Sequence, residues 1–197
     1  INQFNNSIIL RSKFVRKDLA KICSRFYKKY PKNIIAVTGT NGKTSVAKFT
    51  EQIWSNNGIL SASIGTLGNS KIQSDNALTT PDPISLHKQL TDLSEANYDN
   101  VIIEASSHGL NQSRIDGLHI SGAAFTNFSR DHLDYHKNMT SYFNAKKRLF
   151  TELLTDKGTA VINKYMIPDK YHNFIDEIRS KKIVTIGNKD STIVIEN

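Results

Sequence analysis

Residues 34–45 read IIAVTGTNGKTS, and no other stretch of the chain restricts its fold so tightly. An apolar run at 34–37 meets Gly39-Thr40-Asn41-Gly42-Lys43-Thr44, and a helical pattern begins at Thr44. That order spells strand, glycine turn, helix start. Glycines let successive backbone N–H groups turn inward around an anion, and the helix N-terminus adds a favourable dipole. Lys43 would place a point charge near the outer phosphates of a nucleotide, and the Thr44 hydroxyl can join a Mg²⁺ shell. The usual phosphate loop begins with a glycine where this chain has Val37, so the loop is a shortened variant. Gly-Lys-Thr turns arise by chance; the strand before this one and the helix after it argue against chance.

The rest of the chain alternates in the same way. Strands are expected at residues 34–38, 60–64, 101–105, 123–127, 159–163, 182–186 and 192–196. Helices are expected at 44–57, 83–93, 141–154 and 169–180. Val46, Phe49 and Ile53 share a face of the first of these helices, and Leu86, Leu90 and Leu93 a face of the second. A loop rich in Gly, Ser and Asn runs to Thr80. Alternating βαβ units predict an α/β fold, a mostly parallel sheet with helices on both faces. Ligands of such sheets sit beyond the carboxyl ends of the strands, which here carry residues 39–44, 104–108 and 127–136.

The net charge of +8 is local. Residues 1–33 hold nine Lys/Arg and one acidic residue, Asp18, whereas 34–197 are balanced. A basic arm for nucleic acid is one reading. A solvated helix over 18–30, with Leu19, Ile22, Phe26 and Tyr30 toward a core, is the preferred one, because aromatic interleaving for base stacking is weak. A single cysteine, Cys23, rules out an internal disulfide and fits a reducing compartment. No run is long enough to span a bilayer, and the apolar residues at 8–10 are too few for a secretory signal, so a cytoplasmic location is expected.

Glu104 closes the apolar strand at 101–103, where a carboxylate needs a partner; beside a phosphate loop the natural partner is Mg²⁺, and the other reading is a strand-end carboxylate that caps the next turn. Asp131-His132-x-Asp134-x-His136 is dense in metal-type ligands, but Leu133 stands where a zinc protease has its Glu. Thr79-Thr80-Pro81 offers two hydroxyls for a polar substrate or a cap for the next helix. Ser106-Ser107-His108 lacks the Gly-x-Ser-x-Gly elbow of a hydrolase. Arg114 and Arg130 are candidates for phosphate or carboxylate contacts. His87, His119 and His172 read as surface or structural residues.

Six segments in this order resemble the Mur ligases, ATP-dependent amide-forming enzymes of peptidoglycan synthesis, and among them the MurE type acting on UDP-N-acetylmuramoyl-L-alanyl-D-glutamate. They are TGTNGKTS (38–45), GTLGN (65–69), TTPDP (79–83), EASSHGLNQSRIDG (104–117), FTNFSRDHLDYH (125–136) and YFNAKKRLF (142–150). The resemblance implies that Gly39, Thr40, Asn41, Gly42, Lys43, Thr44 and Ser45 hold the ATP phosphates. It implies two Mg²⁺ ions, one on Thr44 and Glu104, the other on His132 and a carbamylated Lys146. Lys43, Glu104, His132 and Lys146 would be the catalytic set, and Thr79, Thr80, Ser106, Gln112 and Arg114 would bind the UDP-muramoyl-peptide. The implied reaction runs through an acyl phosphate that the amine of a diamino acid opens.

Such enzymes have three domains. Residues 1–17 are expected to be the tail of a uridine-binding first domain and 18–197 a truncated central ATP-binding domain. The amino-acid-binding third domain, which would select diaminopimelate or lysine, is expected to be absent. That predicts a fragment that does not turn over alone, exposes apolar surface, and is monomeric, with no nucleic-acid or membrane partner. A folylpolyglutamate synthase-like ligase, a nucleotide-binding module without amide chemistry and a non-catalytic remnant are the alternatives. The guanine-binding Asn-Lys-x-Asp is missing at both 163–166 and 188–191.

Overall fold

A computed structural model describes residues 11–72, 78–179 and 181–195. The start of the expected 1–17 tail, part of the loop before Thr80, Ser180 and Glu196 lie outside the described residues.

Eight strands form one sheet in the order β3-β2-β4-β1-β5-β6-β7-β8. They are β1 Asn33–Thr38, β2 Ser61–Gly65, β3 Gly68–Asn69, β4 Asn100–Glu104, β5 Ile120–Phe125, β6 Leu154–Asn163, β7 Lys182–Gly187 and β8 Ile193–Val194. All pairs are parallel except β2 with β3, a short hairpin inside the segment expected to be loop. Central β1 alternates its side chains between two layers. Ile34 and Ala36 join the large core that contains Leu86, Leu90, Phe125, Tyr142 and Phe150, while Val37 packs with Ala47 and Ile102 under helix α2, Lys43–Asn56. The expected sheet with helices on both faces is therefore what forms.

Helix α1, Val15–Phe26, departs from expectation. Leu19, Ile22 and Phe26 face solvent, at 38%, 49% and 75% exposure, and the buried residues are Ala20 and Cys23. Small side chains let α1 lie close to helix α3, Pro83–Glu95, and to Gly117, where a Cβ would meet Ala20 and Ser24. Tyr30, beyond the helix, does reach the core and pairs with His87 Nδ1 at 2.6 Å. In α2, Phe49 and Ile53 point outward, and Ala47 and Glu51 are buried. Glu51 is tolerated inside because Ser63 donates to it at 2.7 Å and Lys48 and Lys71 pair with it at 3.3 and 3.2 Å.

Helix α3 has the expected inward leucines, and Asp82 caps it by accepting from Ile84 N and Ser85 N. Short helices α4, Ser107–Asn111, and α5, Leu133–His136, precede α6, Met139–Arg148. The α-helix expected to reach 154 instead loosens into a π-turn at Leu149–Leu153 that buries Leu149 and Phe150, and Leu154 opens β6. The helix expected at 169–180 is broken. A 3₁₀ turn at Asp169–Tyr171 and a four-residue helix α7, Phe174–Glu177, stand in its place, each anchored by one buried aromatic, Tyr171 and Phe174.

Candidate active site

The carboxyl ends of β4, β1 and β5 lie side by side, because β1 pairs with both neighbours and the chain leaves the sheet to opposite sides around it. Three loops meet there. The first follows β1. Gly39 has φ +150° and Gly42 φ +80°, and a Cβ on Gly39 would collide with Thr126. Asn127, just past β5, braces the loop. Its Oδ1 accepts from Asn41 N at 2.9 Å and its Nδ2 donates to Asn41 O at 3.0 Å. Thr126 Oγ1 donates to Asn41 O at 2.7 Å, and the Thr40 hydroxyl exchanges bonds with the Ser129 backbone. Lys43 curls over the loop and donates to Gly39 O at 3.0 Å and Thr40 O at 2.8 Å. Burial lowers its pKa, against the pull of Glu104 and Asp131.

Glu104, 2% exposed, stands at the end of β4. It accepts from Thr44 Oγ1 at 2.8 Å, Thr66 N at 3.0 Å and Thr66 Oγ1 at 3.2 Å. The Thr79 and Thr66 hydroxyls are 3.0 Å apart. Among the described residues no cation pairs with Glu104. Gly65 leaves room for it, since a Cβ there would overlap the carboxylate.

The third approach is α6. Lys146 is 1% exposed, and its Nζ donates to Gly39 O at 2.6 Å and sits 4.6 Å from the Tyr142 ring centroid. Burial first, then the positive charge of Lys43, bring its pKa down from 10.5 to about 7. Tyr142 hydrogen-bonds Thr40 Oγ1 at 3.3 Å, which links this helix to the loop a second time. His132 has φ +50° and 44% side-chain exposure; its ring lies 6.1 Å from Tyr142 and 4.9 Å from His108. The His108 ring lies tilted against Tyr135, centroids 4.1 Å apart, and burial lowers the pKa of both His108 and His136. Lys43, Glu104, His132 and Lys146 thus gather at one rim.

The expected substrate residues adjoin it. Thr80 is fully buried, its hydroxyl donating to Glu104 O at 2.7 Å and accepting from Ser106 N at 2.9 Å, so that hydroxyl is spent within the protein. Ser106 caps α4 by accepting from Gly109 N. Arg114 donates to Thr80 O and to Gln112 Oε1, each at 2.7 Å. Thr66, Thr126 and Tyr142 escaped sequence reading as site residues, although each lies inside a segment that carries the family resemblance; the sequence puts Asn127 at the site end of its strand but assigns it no role. Arg130 makes no ion pair among the described residues. His119 is exposed; His172 Nε2 bonds backbone carbonyls; His87 keeps an unpartnered Nε2, and burial drops its pKa to about 4.

Does the donor set fit a metal ion? Among the described residues no three His, Cys, Asp or Glu side chains form a metal-binding group, so nothing supports a zinc site at 131–136. A buried carboxylate without a cation, 2.8 Å from a hydroxyl, does suit a hard, oxygen-seeking ion such as Mg²⁺.

A parallel sheet with a phosphate loop after its central strand, faced by a buried acidic residue, defines a nucleotide-binding α/β domain of the P-loop kind. The chain belongs to the Mur ligase family: the family described as Mur ligase middle domain matches residues 37–196. It is 51% identical over 150 residues to the UDP-N-acetylmuramoyl-L-alanyl-D-glutamate–2,6-diaminopimelate ligase of Bradyrhizobium diazoefficiens, covering 75% of this chain and 31% of that protein. A solved structure of an enzyme of the same name superposes with a TM-score of 0.78 at 32% identity, over 92% of this chain and 38% of the other. A bifunctional folylpolyglutamate synthase/dihydrofolate synthase gives 0.65 at 19% identity, over 90% and 49%, which is a likeness of fold alone. The chain spans about a third of the length of the curated relatives it matches.

Proposed function

We propose that this chain is the ATP-binding part of a cytoplasmic ligase that joins a diamino acid to UDP-N-acetylmuramoyl-L-alanyl-D-glutamate. The names of the relatives, 2,6-diaminopimelate ligases, favour 2,6-diaminopimelate over lysine as that diamino acid. One observation carries the reading: Lys146 buries an amine with a pKa of about 7 on a carbonyl of the phosphate loop. An amine that is neutral near pH 7 adds CO₂ and becomes an anionic oxygen donor, whereas a structural lysine would keep its charge in water. On this reading Thr44 and Glu104 hold one Mg²⁺, and His132 and carbamylated Lys146 a second. The bound ions would neutralise charge on the phosphate oxygens.

The chain's own residues then do the positioning. The loop N–H groups from Gly39 to Thr44 cradle the phosphates, and Lys43 exchanges its two loop carbonyls for the outer phosphate oxygens. Thr79, Ser106, Gln112 and Arg114 orient the acyl substrate, with Thr80 holding Arg114 in place through its carbonyl. The substrate's terminal carboxylate attacks the γ-phosphorus, ADP departs, and an acyl phosphate results. The amine of the diamino acid displaces phosphate and leaves an amide. The enzyme works as a monomer. Thermal unfolding tests the binding half of this scheme. ATP with Mg²⁺ raises Tm, GTP does not, and UDP-muramoyl-dipeptide adds a further increment. A Tm that ignores ATP, or one raised by a folate in place of the muramoyl substrate, contradicts the assignment.

A further inference from the structure

One hydroxyl stands between the residues assigned to the metal and those assigned to the acyl substrate. Thr66 and Leu67 form the two-residue turn of the β2–β3 hairpin, in which Gly65 pairs with Gly68. Strand β2 runs beside β4 as far as Ile64 opposite Ile103, so the turn begins at the level of Glu104. Thr66 therefore meets the carboxylate twice. Its N–H donates to Oε1 at 3.0 Å and its hydroxyl to Oε2 at 3.2 Å. Thr44 Oγ1 donates to the same Oε2 at 2.8 Å. On the other side, Thr66 Oγ1 lies 3.0 Å from Thr79 Oγ1. Thr44, Glu104, Thr66 and Thr79 thus form one chain of polar atoms, from the phosphate-loop helix to the substrate segment. Glu104 is buried and Thr66 exposed, so the hydroxyl can turn where the carboxylate is held.

The Thr66 hydroxyl has one proton and two neighbours that can take it. The carboxylate is the stronger acceptor, so the proton goes to Glu104 and Thr79 spends its own on Thr66. A divalent cation on Glu104 and Thr44 would claim the Oε2 lone pairs that these hydroxyls use. Thr66 then turns its proton to Thr79, and the Thr79 proton becomes available to an acceptor on the substrate. Two hydroxyls rotate and no covalent bond changes. The effect is reciprocal by linkage: an acceptor that draws the Thr79 proton also draws the Thr66 proton away from Glu104 and favours the cation there.

We propose that Thr66 is a positioning residue whose hydroxyl couples binding of the Mg²⁺-bound nucleotide at Glu104 to binding of the acyl substrate at Thr79, each strengthening the other. The inference rests on the ligase reading above and adds to it a link between its two binding sites. Calorimetric titration of UDP-muramoyl-dipeptide tests it, with and without a saturating non-hydrolysable ATP analogue in Mg²⁺, on wild type, Thr66→Val and Thr66→Ser. Valine keeps the shape of the side chain and the backbone bond to Oε1 but has no proton to turn. Wild type should bind the muramoyl substrate about tenfold more tightly when the nucleotide analogue is present. In Thr66→Val that factor should fall to within about twofold, and Thr66→Ser should restore it. A factor that Thr66→Val retains overturns the coupling role. So does a wild type that binds both ligands independently, and either result leaves the ligase reading standing. A factor lost in Thr66→Val that Thr66→Ser does not restore marks a structural effect and also overturns it. A wild-type chain that binds the nucleotide analogue but no muramoyl substrate, or neither ligand, overturns both.

Discussion

Replacing Lys146 by Met should stabilise the chain at low pH and cease to do so at high pH. In the folded state the amine titrates at about 7 and in an unfolded chain near its ordinary 10.5. Between those values the unfolded state holds a proton that the folded state lacks, so raising the pH favours folding. Below about pH 7 the folded amine is charged as well, and the whole penalty stands. The gap corresponds to about 5 kcal/mol at 1.36 kcal/mol per pH unit, an order-of-magnitude figure. Methionine fills similar space without the charge but loses the bond to Gly39 O and the contact with Tyr142, together about 2 kcal/mol. Gly39 O keeps Lys43 as a donor, so no carbonyl is orphaned. The variant should therefore gain about 2–3 kcal/mol at pH 6.5, an advantage that shrinks by about 1.4 kcal/mol per pH unit and vanishes near pH 9. Urea unfolding of both proteins in CO₂-free buffers from pH 6 to 9 measures this. Stability curves that run parallel across that range would refute a depressed Lys146 pKa.

Other perturbations probe the rest of the rim. Lys43→Ala and Glu104→Ala should each abolish stabilisation by ATP and Mg²⁺ in thermal unfolding, and unchanged shifts in both would contradict the phosphate and metal roles. Gly65→Ala drives a methyl into the Glu104 carboxylate; it should cost about 1–3 kcal/mol in urea unfolding and weaken Mg·ATP protection, and an unaffected variant would show that the packing there yields.

The phosphate loop, the sheet and the acidic end of β4 were legible because each depends on local spacing. Ile34–Val37 alternates between two buried layers whatever surrounds it, and a Gly-Lys-Thr turn needs only its own backbone. What sequence could not supply was partnership at a distance. The apolar stripe of α1 looks inward by its spacing, yet Ala20 and Cys23 win because small residues bring that helix nearer to α3. Glu51 looks like an outward charge until Ser63 and Lys71 are seen beside it. Asn127 reads as a strand end, and only the sheet order puts its amide against the backbone of Asn41. Lys146 is a lysine among lysines on α6; the family resemblance singled it out, and burial against Gly39 supplies the physical reason. Residues 169–180 have helical spacing, but Tyr171 and Phe174 are each drawn into the core and the helix breaks between them.

The proposed second metal site requires Lys146 to be a neutral, CO₂-reactive amine at the phosphate loop. Carbon-13 NMR of the chain in ¹³C-bicarbonate at pH 8 measures that directly. A carbamate carbon present in wild type, absent in Lys146→Met and strengthened by Mg²⁺ with ATP is the predicted result. A spectrum with no protein-bound carbon, or one that Lys146→Met leaves intact, would contradict it.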